Sequence, residues 1–516
     1  MNRLLFTTAP FAFVALVLSS CAYPYVGTIS PTNGVTIATI PHAVIPSGAD
    51  GASAIVPIGT DLVYVHRDSS MPGQLRLTRV TRSGETRWST VPTLPADVRD
   101  VPWTEWPIEV LGDASEGQEV LLHLFERGGR ISLVSSRVND GTRVHDTGYV
   151  IARQFDASSG EPIASRLVYS ASGDAPQGAW MSSAIAPDSS SFVISHVMFD
   201  SVDRSLDRHE LIVAGFDGTI ERRAAFSVDG EEFGKPHVYL GSDGAAYLVG
   251  IEPPRTVVIH RSGRAGDAST TRFAFDTPSD PGTVDITGFH GWTEGDGALV
   301  LVVEGRDGRY LTAVQLVRLA PGRDIDVRPV LELGSRLTQS LIDDDGVDWG
   351  TIAQVVGSTT GAARHVVIAE ERKFRRVMAY GSARPPAQAI TEDVILLAFD
   401  EAGRPTWQRG IVRSSGVEFE TLWQFNSAAA HVNGDTLELV LREDETMVVR
   451  RHHLTDGRPL TPPAGIPILA LNEYRGIFSS SIRWIAPSTI VAVGKTGDRA
   501  VYIIDYSGAS GVVEAR

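Results

Sequence analysis

Cysteine is nearly absent from this chain, because Cys21 stands alone among 516 residues. A single thiol cannot close a disulfide within the chain, so folds that depend on disulfides are excluded. A fold of this length must then be held together by its apolar core, by its topology or by metal ions. The place of Cys21 is also informative, since it follows an apolar segment at the amino terminus.

The chain also has no excess of positive charge. The chain has 46 Lys and Arg against 62 Asp and Glu, which gives a formal net charge of −16. Such a surface repels a phosphate backbone, so the sequence predicts no nucleic-acid partner.

Local motifs for catalysis are missing too. The sequence contains no Gly-x-Ser-x-Gly elbow, no His-Glu-x-x-His helix, no Walker-type loop and no dinucleotide fingerprint. Any catalytic site would have to be assembled from distant loops, and the sequence identifies no catalytic residue.

The apolar segment at residues 4–18 is preceded by one charge, Arg3. Its length of roughly 15 residues is short of the ~20 that a membrane-spanning helix needs, and it suits a signal peptide. At its end, Leu18-Ser19-Ser20-Cys21 resembles the lipobox of bacterial lipoproteins. The resemblance implies that residues 1–20 are cleaved and that Cys21 becomes an acylated first residue, with palmitate-type chains that anchor it in a membrane.

Ala22, directly after the cysteine, resembles the sorting position of lipoproteins that reach the outer membrane of Gram-negative cells. We therefore expect an exported protein of the bacterial cell envelope, held at the outer membrane by lipid on Cys21. Acylation would also remove the only candidate for a nucleophilic cysteine. Residues 21–53 are rich in Pro, Gly, Ser and Thr, which predicts a lipid attachment site followed by a flexible tether and lead-in.

A strand-turn-strand pattern recurs through residues 54–516. Clear copies begin at Leu75, Val150, Leu211 and Ile395, and weaker ones bring the total to eight. Each copy has a turn with Gly, often beside Asp or Ser, between two apolar strands. The pattern predicts an all-β fold, a single β-propeller of eight blades, with seven or nine blades left open.

Two of the copies, "VTRSGETRWSTV" and "AFDEAGRPTWQRGIV", resemble the repeats of pyrroloquinoline-quinone-type propellers. The resemblance implies that Trp88 and Trp407 pack between blades. That family includes quinone-dependent dehydrogenases and also a non-catalytic propeller lipoprotein of the outer-membrane barrel assembly machine. No cofactor residue of the family can be matched here, and the vicinal disulfide of some members cannot form, so no cofactor is expected from the resemblance.

A basic cluster interrupts this acidic sequence near residue 370. Arg372, Lys373, Arg375 and Arg376 lie in a segment that can be drawn as a helix, although the mixed apolar period favours strands extended into a charged hairpin. Such a cluster can bind phosphate or carboxylate groups or an acidic partner, and the alternative is a charged hairpin that keeps the protein soluble. We take these residues as candidates for loops of a binding face.

The densest acidic stretch is "LIDDDGVDWG". Asp343, Asp345 and Asp348 are a weak Ca²⁺ candidate, because close carboxylates around a glycine suit that ion. The spacing lacks the Glu of an EF-hand, so a solvated acidic turn is the competing interpretation.

These patterns favour a lipid-anchored protein of the cell envelope whose propeller is a binding scaffold for another protein or an envelope polymer. The alternative is a propeller enzyme, a hydrolase or an oxidoreductase, with its site at the mouth of the channel. A structural lipoprotein stabilised by Ca²⁺ is a third hypothesis.

Overall fold

The structure is a computed structural model of the chain. It describes residues 28–32, 35–40, 55–67, 75–95, 119–138, 147–170, 181–199, 206–229, 236–252, 255–275, 284–307, 310–321, 323, 325–332, 348–357, 363–376, 387–411, 417–419, 428–443, 446–460, 464–467, 477–494 and 501–508.

The described residues form 35 β-strands, and no helix occurs among them. In chain order the first 18 strands are β1 (Thr28–Thr32), β2 (Val35–Ile40), β3 (Ile55–Ile58), β4 (Asp61–Arg67), β5 (Leu75–Val80), β6 (Thr86–Thr90), β7 (Glu119–Arg127), β8 (Arg130–Val138), β9 (Thr147–Asp156), β10 (Pro162–Ser170), β11 (Met181–Ile185), β12 (Ser191–Phe199), β13 (Leu206–Gly215), β14 (Ile220–Asp229), β15 (His237–Leu240), β16 (Ala246–Glu252), β17 (Thr256–Ser262) and β18 (Ala268–Ala274).

The second half of the chain continues in the same way. Its strands are β19 (Asp285–Thr293), β20 (Leu299–Asp307), β21 (Tyr310–Leu319), β22 (Asp326–Val327), β23 (Leu331–Glu332), β24 (Asp348–Gly357), β25 (His365–Arg376), β26 (Ala387–Phe399), β27 (Pro405–Ile411), β28 (Val417–Phe419), β29 (Ala428–Asn433), β30 (Thr436–Glu443), β31 (Thr446–His453), β32 (Ala464–Pro467), β33 (Ile477–Ala486), β34 (Thr489–Gly494) and β35 (Val501–Asp505).

The described strands pair into eight antiparallel sheets, which we number as blades 1 to 8. Blade 1 is β3–β6, blade 2 is β7–β10, blade 3 is β11–β14 and blade 4 is β15–β18. Blade 5 is β19–β22 with β23 beside it, blade 6 is β24–β27 with β28 beside it, and blade 7 is β29–β32. Blade 8 has the order β33-β34-β35-β2-β1, so both ends of the chain contribute to it. The fold is an eight-bladed β-propeller, which confirms the predicted fold class.

The core lies between the blades, as the continuous apolar runs predicted. In β12 of blade 3, Phe192 and Ile194 are fully buried in a cluster shared with blade 2. Val193, between them, is fully buried in a cluster shared with blade 4. Successive side chains point to opposite faces of a strand, so a strand covered on both faces has to be apolar at every position.

Blade 8 corrects the interval that we predicted as a tether and lead-in. Residues 21–53 contain β1 and β2, and β2 pairs with β35 from Thr36 opposite Asp505 to Ile40 opposite Val501. The propeller therefore begins before residue 54. A stretch rich in Thr and Pro can serve as an outer strand because that position needs few buried side chains, so its composition resembles that of a linker.

Two faces of the ring differ in their connections. Short turns join the first strand of a blade to the second and the third to the fourth, and they define what we call the turn face. The strand ends between the second and third strands of a blade, and those that lead from one blade to the next, lie on the opposite side, the loop face. The longest stretches of sequence between strand ends on this face are 41–54, 91–118 and 333–347, and the shortest are 308–309 and 444–445. On the turn face, the Oδ1 atom of Asp156 accepts the backbone N–H groups of Ser158 and Ser159, each at 2.9 Å.

Trp88 and Trp407 lie between blades, where the sequence placed them. The Nε1–H of Trp88 donates to the carbonyl of Ala157 in the next blade at 3.2 Å, and that of Trp407 donates to the carbonyl of Leu454 at 2.8 Å. Each indole covers a turn glycine, because a Cβ on Gly160 would lie 2.6 Å from Cδ2 of Trp88. These contacts fix neighbouring blades to each other. Membership of the quinone-type family stays a prediction.

Candidate functional site

The basic cluster lies in a strand, as the mixed period indicated, and not in a helix. Arg372, Lys373, Arg375 and Arg376 are in the second half of β25, which pairs with β26 up to Arg376 opposite Ala387. This end of β25 is on the loop face, since the strand begins after a turn-face connection. The four residues therefore belong to a sheet instead of a loop, because β24 pairs with β25 as far as Lys373 and β28 pairs with β26 at Ala389–Thr391.

The acidic stretch is mostly outside the described residues. Asp343 and Asp345 lie in the interval 333–347, and Asp348 is the first residue of β24. Where the structure describes the chain, it contains no group of three or more His, Cys, Asp or Glu side chains that could hold a metal ion. The calcium site stays a prediction.

A histidine backed by a buried carboxylate lies on the inner strand of blade 5. The Nε2 atom of His290 in β19 is 3.3 Å from Oε1 of Glu304 in β20, and Nη2 of Arg306 is 3.1 Å from Oε2 of the same carboxylate. The Glu304 side chain is 4% exposed, whereas that of His290 is 36% exposed. A buried carboxylate thus orients an imidazole that solvent and solutes can reach, which is an arrangement suited to proton transfer.

Strand register explains this pair. His290 lies opposite Val302, and Gly288 lies opposite Glu304, so His290 and Glu304 share one face of the sheet. Diagonal neighbours on adjacent strands are within reach of long side chains. Neither residue was among the site residues predicted from the sequence. The signal that could have found the pair was the hairpin register across β19 and β20.

A second polar network joins blades 7 and 8. The carboxylate of Glu438 in β30 accepts hydrogen bonds from Nε of Arg451 at 2.8 Å, from Nε1 of Trp484 at 3.0 Å and from the hydroxyl of Tyr506 at 2.8 Å. The imidazole of His431 stacks on the Trp484 ring with centroids 5.3 Å apart. Burial, followed by the nearby Glu438 charge, raises the pKa of Tyr506 above its usual range. These groups satisfy one another, so we interpret the network as a structural clamp beside the ring closure.

His123, on the inner strand β7, is a buried histidine whose pKa shift has a single cause. Both of its ring nitrogens lack a hydrogen-bond partner among the described residues, and the residue is 6% exposed. Burial alone lowers its pKa from 6.5 to about 4. The fold therefore keeps this imidazole neutral at physiological pH.

This burial predicts a loss of stability in mild acid. Because the folded-state pKa of His123 is below its unfolded value, the unfolded chain gains a proton first as the pH falls from 6.5 toward 4. The free energy of unfolding should then fall with a slope of at most about 1.4 kcal/mol per pH unit for this residue. A His123→Leu variant should show a shallower decline of melting temperature between pH 7 and pH 5.

The control is Leu124→Met, which changes a buried neighbour without adding or removing a titratable group. Its melting temperature should be shifted by a similar amount at every pH. A slope in His123→Leu equal to that of the unchanged protein would show that His123 does not contribute to the acid sensitivity.

Solved structures resemble this chain in fold, at low sequence identity. No protein-family model matches the sequence, and no curated protein does. Among solved structures, the polysaccharide lyase Uly1 is similar with a TM-score of 0.37 and 11% identity, over 80% of this chain and 93% of that one. The WD40 domain of SCAP from fission yeast has a TM-score of 0.36 and 9% identity, over 93% and 99% of the two chains. The β-propeller domain of the Trilobed protease from Pyrococcus furiosus has a TM-score of 0.33 and 10% identity, over 75% and 93%. Similarities of this size do not allow a function to be assigned to this chain.

Proposed function

We propose that this protein is a lipid-anchored component of the bacterial cell envelope whose propeller is a rigid binding scaffold for another envelope protein or an envelope polymer. The attachment is assigned to Cys21, on the resemblance of Leu18-Ser19-Ser20-Cys21 to a lipobox, and the expected place is the outer membrane. The described residues include no helix long and apolar enough to cross a membrane.

The observation that carries the scaffold proposal is the difference between the two faces of the ring. No turn-face connection is longer than residues 454–463, whereas the strand ends of the loop face flank the much longer stretches 91–118 and 333–347 as well as 41–54 and the β25–β26 hairpin. Long connections on a rigid support are where binding residues are usually found. We therefore assign partner binding to the loop face.

The test has two independent parts. Metabolic labelling with a palmitate analogue should label the unchanged protein and place it in the membrane fraction, and Cys21→Ala should abolish both results. A photo-crosslinking residue at Thr391, near the loop face, should yield a reproducible adduct in whole cells. The same crosslinker at the exposed Glu401 of the turn face is the matched control. Adducts from Glu401 alone would contradict the scaffold assignment, and an unlabelled Cys21 would contradict the anchor.

One observation favours an enzyme as the second candidate. The pair His290 and Glu304, with Arg306, places a solvent-reachable imidazole on an inner strand, beside the channel of the ring. A channel-mouth hydrolase would use such an imidazole as general acid or base. If the unchanged protein has a hydrolytic activity, His290→Gln and Glu304→Gln should each abolish it. Both variants should keep the melting temperature of the unchanged protein.

A further inference from the structure

The closing strands determine on which side of the ring the amino-terminal segment approaches the propeller. β35 begins at Val501, directly after the loop-face connection 495–500, and β2 runs antiparallel to it. β1 runs antiparallel to β2, with Thr28 opposite Ala38 and Thr32 opposite Val35. β1 therefore runs from the loop face toward the turn face, and the chain reaches Thr28 from the loop-face side.

The connection from Cys21 to β1 is short. Residues 22–27 separate Cys21 from Thr28. A fully extended chain of this length spans at most about 25 Å. An anchor at Cys21 would thus hold the outer edge of blade 8 close to a membrane, and on its loop-face side. A flexible tether over residues 21–53, as the sequence predicted, would have imposed no orientation on the propeller.

The paired ends of β25 and β26 lie on the same face, in blade 6, and blade 7 separates this blade from blade 8. β24 pairs with β25 as far as Asp348 opposite Lys373, while β25 and β26 stay paired as far as Arg376 opposite Ala387. We call residues 372–376 with 387–391 the ribbon. Ala389–Thr391 of the ribbon also pair with β28 on their other side, and the chain directly before Asp348 lies outside the described residues.

The charge of this segment is opposite to that of the chain. From residue 372 to residue 391 every charged residue is Lys or Arg, and four of them are the basic cluster of β25, Arg372, Lys373, Arg375 and Arg376. In the flanking strands, Asp348 lies opposite Lys373 and Glu418 lies opposite Ile390. The chain as a whole has a formal net charge of −16, so an anionic surface should repel most of the protein and attract this segment. The charge pattern therefore favours approach to such a surface by way of the ribbon.

We propose that the loop face is turned toward the membrane and that the ribbon contacts the headgroups of anionic phospholipids. The orientation rests on the proposed attachment at Cys21, whereas the lipid contact can be tested without it. The turn face then points away from the membrane, and a protein bound on the loop face would itself lie at the membrane surface. Two contacts, one covalent lipid and one electrostatic, hold a protein at a bilayer more firmly than either alone.

The lipid contact is tested on the full mature chain with Cys21→Ser, which cannot be acylated. We expect it to sediment with mixed phosphatidylcholine and phosphatidylglycerol vesicles, less so as salt rises, and not with pure phosphatidylcholine vesicles. Combining Arg372→Glu, Lys373→Glu, Arg375→Glu and Arg376→Glu should weaken this binding by about a hundredfold or more. The same four positions changed to Gln are a milder variant that keeps the test usable if the Glu variant does not fold.

The matched control reverses four exposed arginines on the turn face, Arg82, Arg264, Arg404 and Arg458. It changes the net charge by the same amount and should leave vesicle binding nearly unchanged, apart from long-range repulsion that salt removes. Equal losses in the two variants would overturn the assignment to the ribbon. Absence of vesicle binding in the Cys21→Ser chain would overturn the lipid contact.

The orientation is tested on the acylated protein in vesicles that contain spin-labelled headgroups. Acylated Cys21 has no free thiol, so a fluorophore on Gln388→Cys or on Glu401→Cys reports from a single position. Strong quenching at position 388 and weak quenching at position 401 is the expected result. Equal quenching, or stronger quenching at 401, in a protein that labels with palmitate would overturn the orientation and leave the anchor intact. A protein that does not label would instead contradict the anchor and with it the orientation, and the vesicle experiment would still decide the lipid contact.

Discussion

A chain that lacks residues 28–40 is expected to lose a large part of its resistance to denaturant. β2 supplies the partner for β35 from Val501 to Asp505, and its removal leaves that strand as an unpaired edge. Five residues of ladder, at roughly 1 kcal/mol for each net hydrogen bond, amount to a loss on the order of 5 kcal/mol in the free energy of unfolding. Urea denaturation followed by tryptophan fluorescence would measure it.

Exposure of this edge should also cause association, because an open strand is a template for pairing with another chain. Size-exclusion chromatography would detect the larger species. The control deletes residues 22–27 instead, which removes none of the described strands, and it should leave the urea midpoint unchanged. If the two deletions gave the same midpoint, closure of blade 8 by the amino-terminal strands would be wrong.

Arg153→Met is expected to have the second-largest effect. The Arg153 guanidinium is 1% exposed, forms an ion pair with Glu119 and donates to Oγ of Ser135 at 2.6 Å. It also reaches the carbonyl of Pro92, beyond the last strand of blade 1, at 3.4 Å. Removing it leaves the Glu119 carboxylate buried without its cation, and breaking a buried pair in this way typically costs about 3–5 kcal/mol. The urea midpoint of the purified variant would show the loss.

The double variant Arg153→Met and Glu119→Leu separates the ion pair from ordinary packing. Two apolar side chains leave no buried charge, so the double variant should recover a large part of the stability that Arg153→Met loses. The contrary result is additivity. If the double variant lost the sum of the stabilities that Arg153→Met and Glu119→Leu lose separately, the two side chains would not depend on each other.

The blades were predictable because their signals are local. A run such as "SFVISHV" is apolar at consecutive positions only because Phe192 and Val193 contact different neighbouring blades. The tight turns need a residue with positive φ, and Gly160 has φ of +75°. Trp88 was recognisable from the resemblance of "VTRSGETRWSTV" to a propeller repeat, and it lies over Gly160 of the next blade.

The polar sites were far less predictable. His290 and Glu304 are 14 residues apart on one hairpin, and register alone could have paired them. Glu438 is in β30 of blade 7, Trp484 is in β33 of blade 8 and Tyr506 directly follows β35, and no spacing in the sequence relates them. Among the candidate residues proposed from sequence, the basic cluster was located on a strand, and Asp343 and Asp345 lie beyond the described ranges.

The sequence by itself determined the class of the fold and the singular position of Cys21, and it favoured eight blades with seven or nine left open, because strand period, turn glycines and the lone cysteine are all properties of neighbouring residues. Only the tertiary structure decided how the ring closes, since the pairing of Ile40 with Val501 joins opposite ends of the chain and has no local signal. Because of this pairing, the first strand of the propeller begins a few residues after Cys21, and the chain reaches the ring from the loop face. The direction in which an anchored propeller faces follows from it, and composition could not have revealed that direction.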